Sequence, residues 1–224
     1  MSARAWKLVA WSVLPPLGAF VALMSAAAAL YPGGTWEDPQ EVGYSWMRSY
    51  FCDLLRPVAL NGAPNATGAA LAEWSLLAFA VALCPFFLVA PRTFPERPRL
   101  GKVVRWAGVM TSIGAVGIVF TPSYRVGSLV HGVVILATAG PGLTAAICAA
   151  AGARAARARA PLISWMATAT LALTALVVVV FVRQLALRVE TTLGLAVLQK
   201  ITIALAAVWM VLTVVQVVRE REAS

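Results

Sequence analysis

Residues 162–182 read LISWMATATLALTALVVVVFV, an uninterrupted run with no charged side chain. At 1.5 Å of rise per residue, a helix over this run is about 30 Å long, the thickness of a bilayer's hydrocarbon core. Five more predominantly apolar stretches of similar length lie at about 8–30, 69–90, 103–120, 127–151 and 193–218. The expected fold is therefore all-α: a six-helix transmembrane bundle forming one membrane domain over residues 1–224. Composition agrees. The chain is 61% hydrophobic and only 12% charged, with a mean hydropathy of +0.83. Soluble domains carry about 25% charged residues, and disorder needs low hydrophobicity, so both classes are excluded.

The N-terminal stretch also has a signal-peptide reading, because Arg4 and Lys7 precede an apolar run ending in Ser25-Ala26-Ala27-Ala28-Ala29. Signal cores span about 7–15 residues. This run is longer, which favours a retained helix, kinked at Pro15-Pro16 where backbone donors are lost.

The net charge of +9 does not point to nucleic acid, since no basic-aromatic soluble module is present. It fits the rule that cytoplasmic loops of membrane proteins are rich in Lys and Arg. With the N-terminus inside, twelve of the 18 basic residues fall on the inner side: Arg4, Lys7, Arg92, Arg97, Arg99, Lys102, Arg105, Arg154, Arg157, Arg159, Arg219 and Arg221. The expected localisation is the cell's inner (plasma) membrane, multi-pass, with both termini cytoplasmic. The segment 31–68 is then a long extracytoplasmic connection, with Trp36, Tyr44, Trp46, Tyr50 and Phe51 suited to the membrane interface. Within it, Ser45–Leu55 is expected to form a short interfacial or re-entrant helix, ended by Pro57. Gly108, Gly114, Gly117, Gly132 and Gly140 mark expected close helix contacts.

Ionisable residues gather toward the outer side. Glu73, His131, Gln199 and Lys200 fall roughly 6–11 Å inside the outer boundary on three spans, where exposure to lipid is costly. Glu73 and Lys200 are natural partners for an ion pair. Arg48, Cys52, Asp53 and Arg56 recur at helical spacing, followed by Asn61 and Asn65. Arg125 follows the third span, and Arg183, Arg188 and Glu190 precede the sixth. Together they suggest an outward-facing polar bowl roofed by 31–68.

Two uses of such a bowl follow from the residue types. Arg48, Arg56, Asn61, Asn65, Glu73, Arg125, Arg183, Gln199 and Lys200 suit a binding site for an anionic lipid headgroup or small amphiphile. Alternatively His131 is a general base oriented by Asp53, with Cys52, Ser123, Ser128 or water as nucleophile, giving a membrane-embedded lipid hydrolase or transferase. Each residue also has a structural reading: an ion pair fixing helix register, a packed histidine, a turn cap. A structural subunit of a membrane complex, or a homo-oligomer, is the third reading. No metal site or cofactor is expected. One histidine cannot form a three-histidine zinc site or paired haem ligands, and Lys200 lies too near a helix end for a retinal lysine.

The run Tyr50-Phe51-Cys52-Asp53-Leu54-Leu55-Arg56, followed by Asn61-Gly62-Ala63-Pro64-Asn65, resembles prokaryotic six-span membrane proteins related to the damage-regulated autophagy modulator and GPI-remodelling groups. That family carries a Ser-Asp-Leu-Gly motif after the first span. Here Cys52 stands for the serine and Leu55 for the glycine. Thr121-Pro122-Ser123 and His131 match its later features. The resemblance implies a six-helix fold with the Asp53 and His131 regions near one another, and no particular reaction.

Overall fold

The computed structural model describes residues 2–158, 160–187 and 194–219. Six helical stretches in it are long and apolar enough to cross a membrane: Arg4–Leu30, Ala66–Thr93, Pro98–Phe120, Ser128–Ala155, Pro161–Gln184 and Leu195–Arg219. The first is built from α1 (Ala3–Trp11) and α2 (Leu14–Leu30). Its break falls at Ser12–Val13, just before the Pro15-Pro16 pair. Those prolines leave the carbonyls one turn earlier without donors, so the chain re-forms its ladder from Val13 onward, with the Leu17 N–H donating to Val13. The remaining spans are α3 (Ala66–Val89), α4 (Pro98–Phe120), α6 (Ser128–Ala155), α7 (Pro161–Leu187) and α8 (Leu195–Arg219), with a one-turn α5 (Ser123–Val126) between α4 and α6.

Neighbours in sequence are neighbours in space. The chief contacts run α2–α3, α3–α4, α4–α6, α6–α7 and α7–α8, and α8 returns to α1 and α3. The α3–α4–α6 contact depends on absent side chains. A Cβ on Gly108 would collide with the Phe87 ring, and one on Gly114 with Thr138. Such small residues let backbones approach closely where lipid supplies no hydrophobic drive between helices. Gly140, expected to do the same, faces open space instead, and Gly117 has only Val134 Cγ1 at 3.8 Å. Several hydroxyls inside the spans donate to backbone carbonyls. Ser75 Oγ donates to the Phe20 carbonyl across α3–α2 (2.8 Å), and Thr168 and Thr174 donate to carbonyls one turn back. Phe86 meets Trp209 edge-on at 4.9 Å, joining α3 to α8.

The bundle has two unlike ends. At one, a short 3₁₀ turn (Ala90–Thr93) and Phe94 lie tightly between helices, with the Phe94 ring over Gly152. At the other, residues 31–65 fold into a compact cap. Gly33 and Gly34 take φ of 134° and 86°, so close to the chain around Glu41 and Asn61 that a side chain would not fit. Antiparallel bridges join Gly33 to Val42 and Val58 to Pro64. Phe51 of the cap meets Phe20 of α2 edge-on at 6.4 Å.

The helix expected over Ser45–Leu55 shrinks to a 3₁₀ helix at Phe51–Leu55. The reason is local. In an α-helix the Ser49 carbonyl would receive the Asp53 N–H. Here it receives Tyr44 Oη–H (3.2 Å) and Lys200 Nζ (2.5 Å), and the Asp53 N–H turns to the Tyr50 carbonyl.

Candidate functional site

Asp53 is the centre of the cap. It is only 4% exposed, and each carboxylate oxygen has a donor. Trp36 Nε1–H donates to Oδ1 at 3.0 Å, and the Tyr50 N–H donates to Oδ2 at 2.7 Å, capping the 3₁₀ helix. The Arg56 guanidinium lies 5.6 Å from the Trp36 ring centroid. Burial pushes the Asp53 carboxyl up to about 6, a rise that the Tyr50 and Trp36 donors and the Arg56 and Lys200 charges limit. Its neighbour Cys52 is pushed up to about 12, by burial first and the Asp53 charge second. The nucleophile is the thiolate, so near neutral pH Cys52 is a poor one.

Asn65 fastens the far side of the same turn. Its Nδ2 donates to the Leu54 and Arg56 carbonyls at 3.3 and 2.9 Å, while its Oδ1 lies against Gly68. Asn61 closes its own turn, accepting the Ala63 N–H at 3.0 Å.

Consecutive residues of α8 hold the cap down. Gln199 Oε1 accepts the Phe51 N–H (3.1 Å), and Lys200 Nζ donates to the Ser49 and Ala196 carbonyls. The ammonium also sits 5.3 Å from the Tyr44 ring centroid and 5.8 Å from that of Phe51. Two aromatic faces, two carbonyls and the Asp53 charge thus surround it, contacts that offset part of the cost of burying the ammonium.

The ion pair expected between Glu73 and Lys200 does not form. Glu73 faces Arg125 at 3.8 Å, because the α4–α6 connection brings Arg125 to α3 while the cap claims Lys200. His131 is buried and its Nδ1 lies 2.6 Å from the Thr121 carbonyl, tying the first turn of α6 to the end of α4. The polar residues therefore do not form one set. Asp53, Trp36, Arg56, Gln199 and Lys200 belong to the cap and its attachment, while Glu73 pairs with Arg125 and His131 with Thr121. Both oxygens of Asp53 accept from donors within the cap, and neither accepts from His131. Arg48 pairs at the cap surface with Glu37 (3.7 Å) and Glu41 (3.4 Å). Arg183 is exposed on α7. Arg188 and Glu190 lie outside the described residues. Among the described residues no group of three or more His, Cys, Asp or Glu side chains is placed to hold a metal ion.

Sequence reasoning missed Trp36, Tyr44 and Ser49 as partners of the ionic residues. Trp36 was legible only as an interfacial aromatic, and the carbonyl of Ser49 has no signature in a side-chain pattern.

Two apolar concavities lie along the spans. Leu14, Leu17, Gly18 and Ala22 of the first span face Ala207, Val211 and their neighbours on α8 across a groove of about 600 Å³. It opens because α8 packs on α7, α1 and α3 but has little contact with α2. A second groove of about 390 Å³ runs between α2 and α3, beside Trp74.

In comparisons with protein-family models, curated proteins and solved structures, nothing matches this chain.

Proposed function

We propose that this is a lipid-binding membrane protein, with both termini cytoplasmic and the 31–65 cap on the extracytoplasmic face of the inner membrane. One acyl chain of the bound lipid lies in the groove between α2 and α8, and the anionic headgroup meets the rim of the cap. The observation that carries this reading is the groove itself: an apolar channel between the first and last spans, bridged by α1–α8 contact at one end and by the Gln199–Lys200 attachment at the other. From Leu30 at the cap end, Ala22 to Leu14 lie about 12–24 Å down α2, a depth within reach of an acyl chain. Arg56, Arg125 and the exposed Arg183 supply positive charge at the rim.

The test is photo-crosslinking of the reconstituted protein with a phospholipid bearing a diazirine on its acyl chain. Labelled peptides from both 14–22 and 207–212 support the reading. Labelling spread over all lipid-facing helices without preference contradicts it.

A lipid hydrolase or transferase is the second reading. One observation favours it: the raised pKa of Asp53, a property shared with catalytic carboxylates. The neutral thiol of Cys52 and the engagement of His131 with Thr121 weigh on the other side. Unchanged phospholipid turnover in Asp53→Ala and His131→Ala removes this reading. The resemblance to the autophagy-modulator and GPI-remodelling groups belongs with these proposals.

A further inference from the structure

The aromatic residues of the cap have different surroundings. Tyr31 and Phe51 are buried, and Trp36 donates to Asp53. Tyr44 packs edge-on to the Tyr31 ring at 6.2 Å and lies 5.3 Å from the Lys200 ammonium. Trp46 stands one ring further out. It meets Tyr44 edge-on at 5.2 Å and is still 59% exposed, and the next residue, Met47, is 66% exposed. Single apolar residues on a surface need no explanation, but two large ones side by side form a patch that marks contact with an apolar partner.

The turn that carries them is tied shut. The Ser49 N–H donates to the Ser45 carbonyl at 2.9 Å, and the Ser45 N–H donates to Ser49 Oγ at 3.2 Å. Tyr44 Oη–H donates to the carbonyl of Ser49, which is fully buried. Trp46 and Met47 are the tip of this closed ring, held outward before they meet anything. Docking them therefore costs little further backbone entropy.

Their level along the bundle follows from Lys200. Its ammonium donates back to the Ala196 carbonyl, so it lies beside the first turn of α8. The membrane-crossing stretch of α8 begins at Leu195. The Tyr44 ring on that ammonium, and Trp46 against Tyr44, thus stand where hydrocarbon gives way to headgroups. Tryptophan is enriched at that level, with an apolar body and one N–H donor for the wet side. The turn's charge, Arg48, is matched by Glu37 and Glu41 of the cap.

We propose that Trp46 and Met47 form an interfacial anchor, in which the turn Ser45–Ser49 dips into the leaflet at the cap end beside the start of α8. The indole lies among the headgroups and the Met47 side chain reaches the upper acyl carbons, the depth to which apolar faces of interfacial segments sink. The anchor holds the cap against the bilayer as Gln199 and Lys200 hold it against α8. It requires that the spans cross a membrane. It requires neither a lipid in the groove between α2 and α8 nor a particular leaflet.

The experiment places a nitroxide at Met47→Cys in a cysteine-free background, with the full chain in phosphatidylcholine nanodiscs. Val42→Cys, at a position 91% exposed on the same cap, is the comparison. The nitroxide at 47 is expected to collide with dissolved oxygen several-fold more often than with a water-soluble nickel chelate, and the nitroxide at 42 to show the reverse order. A second measurement leaves Met47 untouched. The emission lost between wild type and Trp46→Phe isolates one of the eight tryptophans. That component is expected to be at least halved by phosphatidylcholine brominated high on its acyl chains and unmoved by aqueous iodide. A nitroxide at 47 as open to the chelate as the one at 42, or a Trp46 component quenched by iodide alone, places the tip in water and overturns the anchor. A nitroxide at 47 shielded from both collision partners also overturns it, since the tip is then covered by protein, a second copy included. An empty groove with Met47 in lipid removes the proposed function and leaves this inference standing, so the two failures are separable.

Discussion

Lys200 and Asp53 show how context converts an ionisable residue in a membrane protein into a fastener. Lys200 joins α8 to the cap through the Ser49 carbonyl and two aromatic faces. Replacing it with Met keeps much of the stem and removes the charge, leaving the Ser49 carbonyl with one donor fewer. Lys200→Met is expected to destabilise the cap by about 1.5–3 kcal/mol, the range for a hydrogen bond to a charged group. Limited proteolysis should then cut within 31–65 before the spans unfold. Asp53 gives a pH dependence. Its folded pKa, about 6, lies above the ordinary carboxylate value of 3.8. The folded state therefore binds the proton more tightly, and stability falls as pH rises from about 4 through 6. The size is on the order of 3 kcal/mol, and Asp53→Asn should flatten the slope. Melting temperatures at pH 4.5 and 7.5 read both effects. A wild-type slope unchanged by the substitution contradicts this role for Asp53.

Among the elements, glycine position decides which substitutions are felt. Gly108→Val forces the Phe87 ring away from α4, whereas Gly140→Val projects into open space. The first is expected to cost about 1–3 kcal/mol and the second very little, as measured by thermal unfolding in one detergent. Sequence alone marked both as helix contacts, because a glycine in a span advertises closeness without saying to what. The spans themselves were legible because hydropathy and length act along a single helix. The cap was less so. The 3₁₀ turn ends just before Pro57 as expected. Its start at Phe51 is set by Lys200, about 150 residues away in the chain, and no local pattern encodes that. The same holds for the site. Glu73 and Lys200 were recognisable as costly charges within spans, and Asp53 and Arg125 as polar residues of the outer connections, but the choice of Arg125 over Lys200 as the partner of Glu73 comes from tertiary packing.

For the whole molecule, the asymmetry of its two ends suggests a sided protein: a folded aromatic cap at one, a basic rim of arginines at the other. If the basic rim faces the cytoplasm, single cysteines placed in a cysteine-free background will respond differently. Val42→Cys, at a position 91% exposed on the cap, is expected to react with a membrane-impermeant maleimide in intact cells. Arg97→Cys should react only after permeabilisation. The reverse pattern inverts the topology.

Lipid occupancy between the first and last spans remains the central claim, and native mass spectrometry of wild type and Gly18→Leu/Ala207→Leu tests it most directly. Residues 18 and 207 line the groove without filling it. The expected result is a wild type that carries a co-purified phospholipid and a variant that folds with its cap in place but loses that lipid. A wild type that flies bare, or a variant that keeps the lipid undiminished, contradicts the claim.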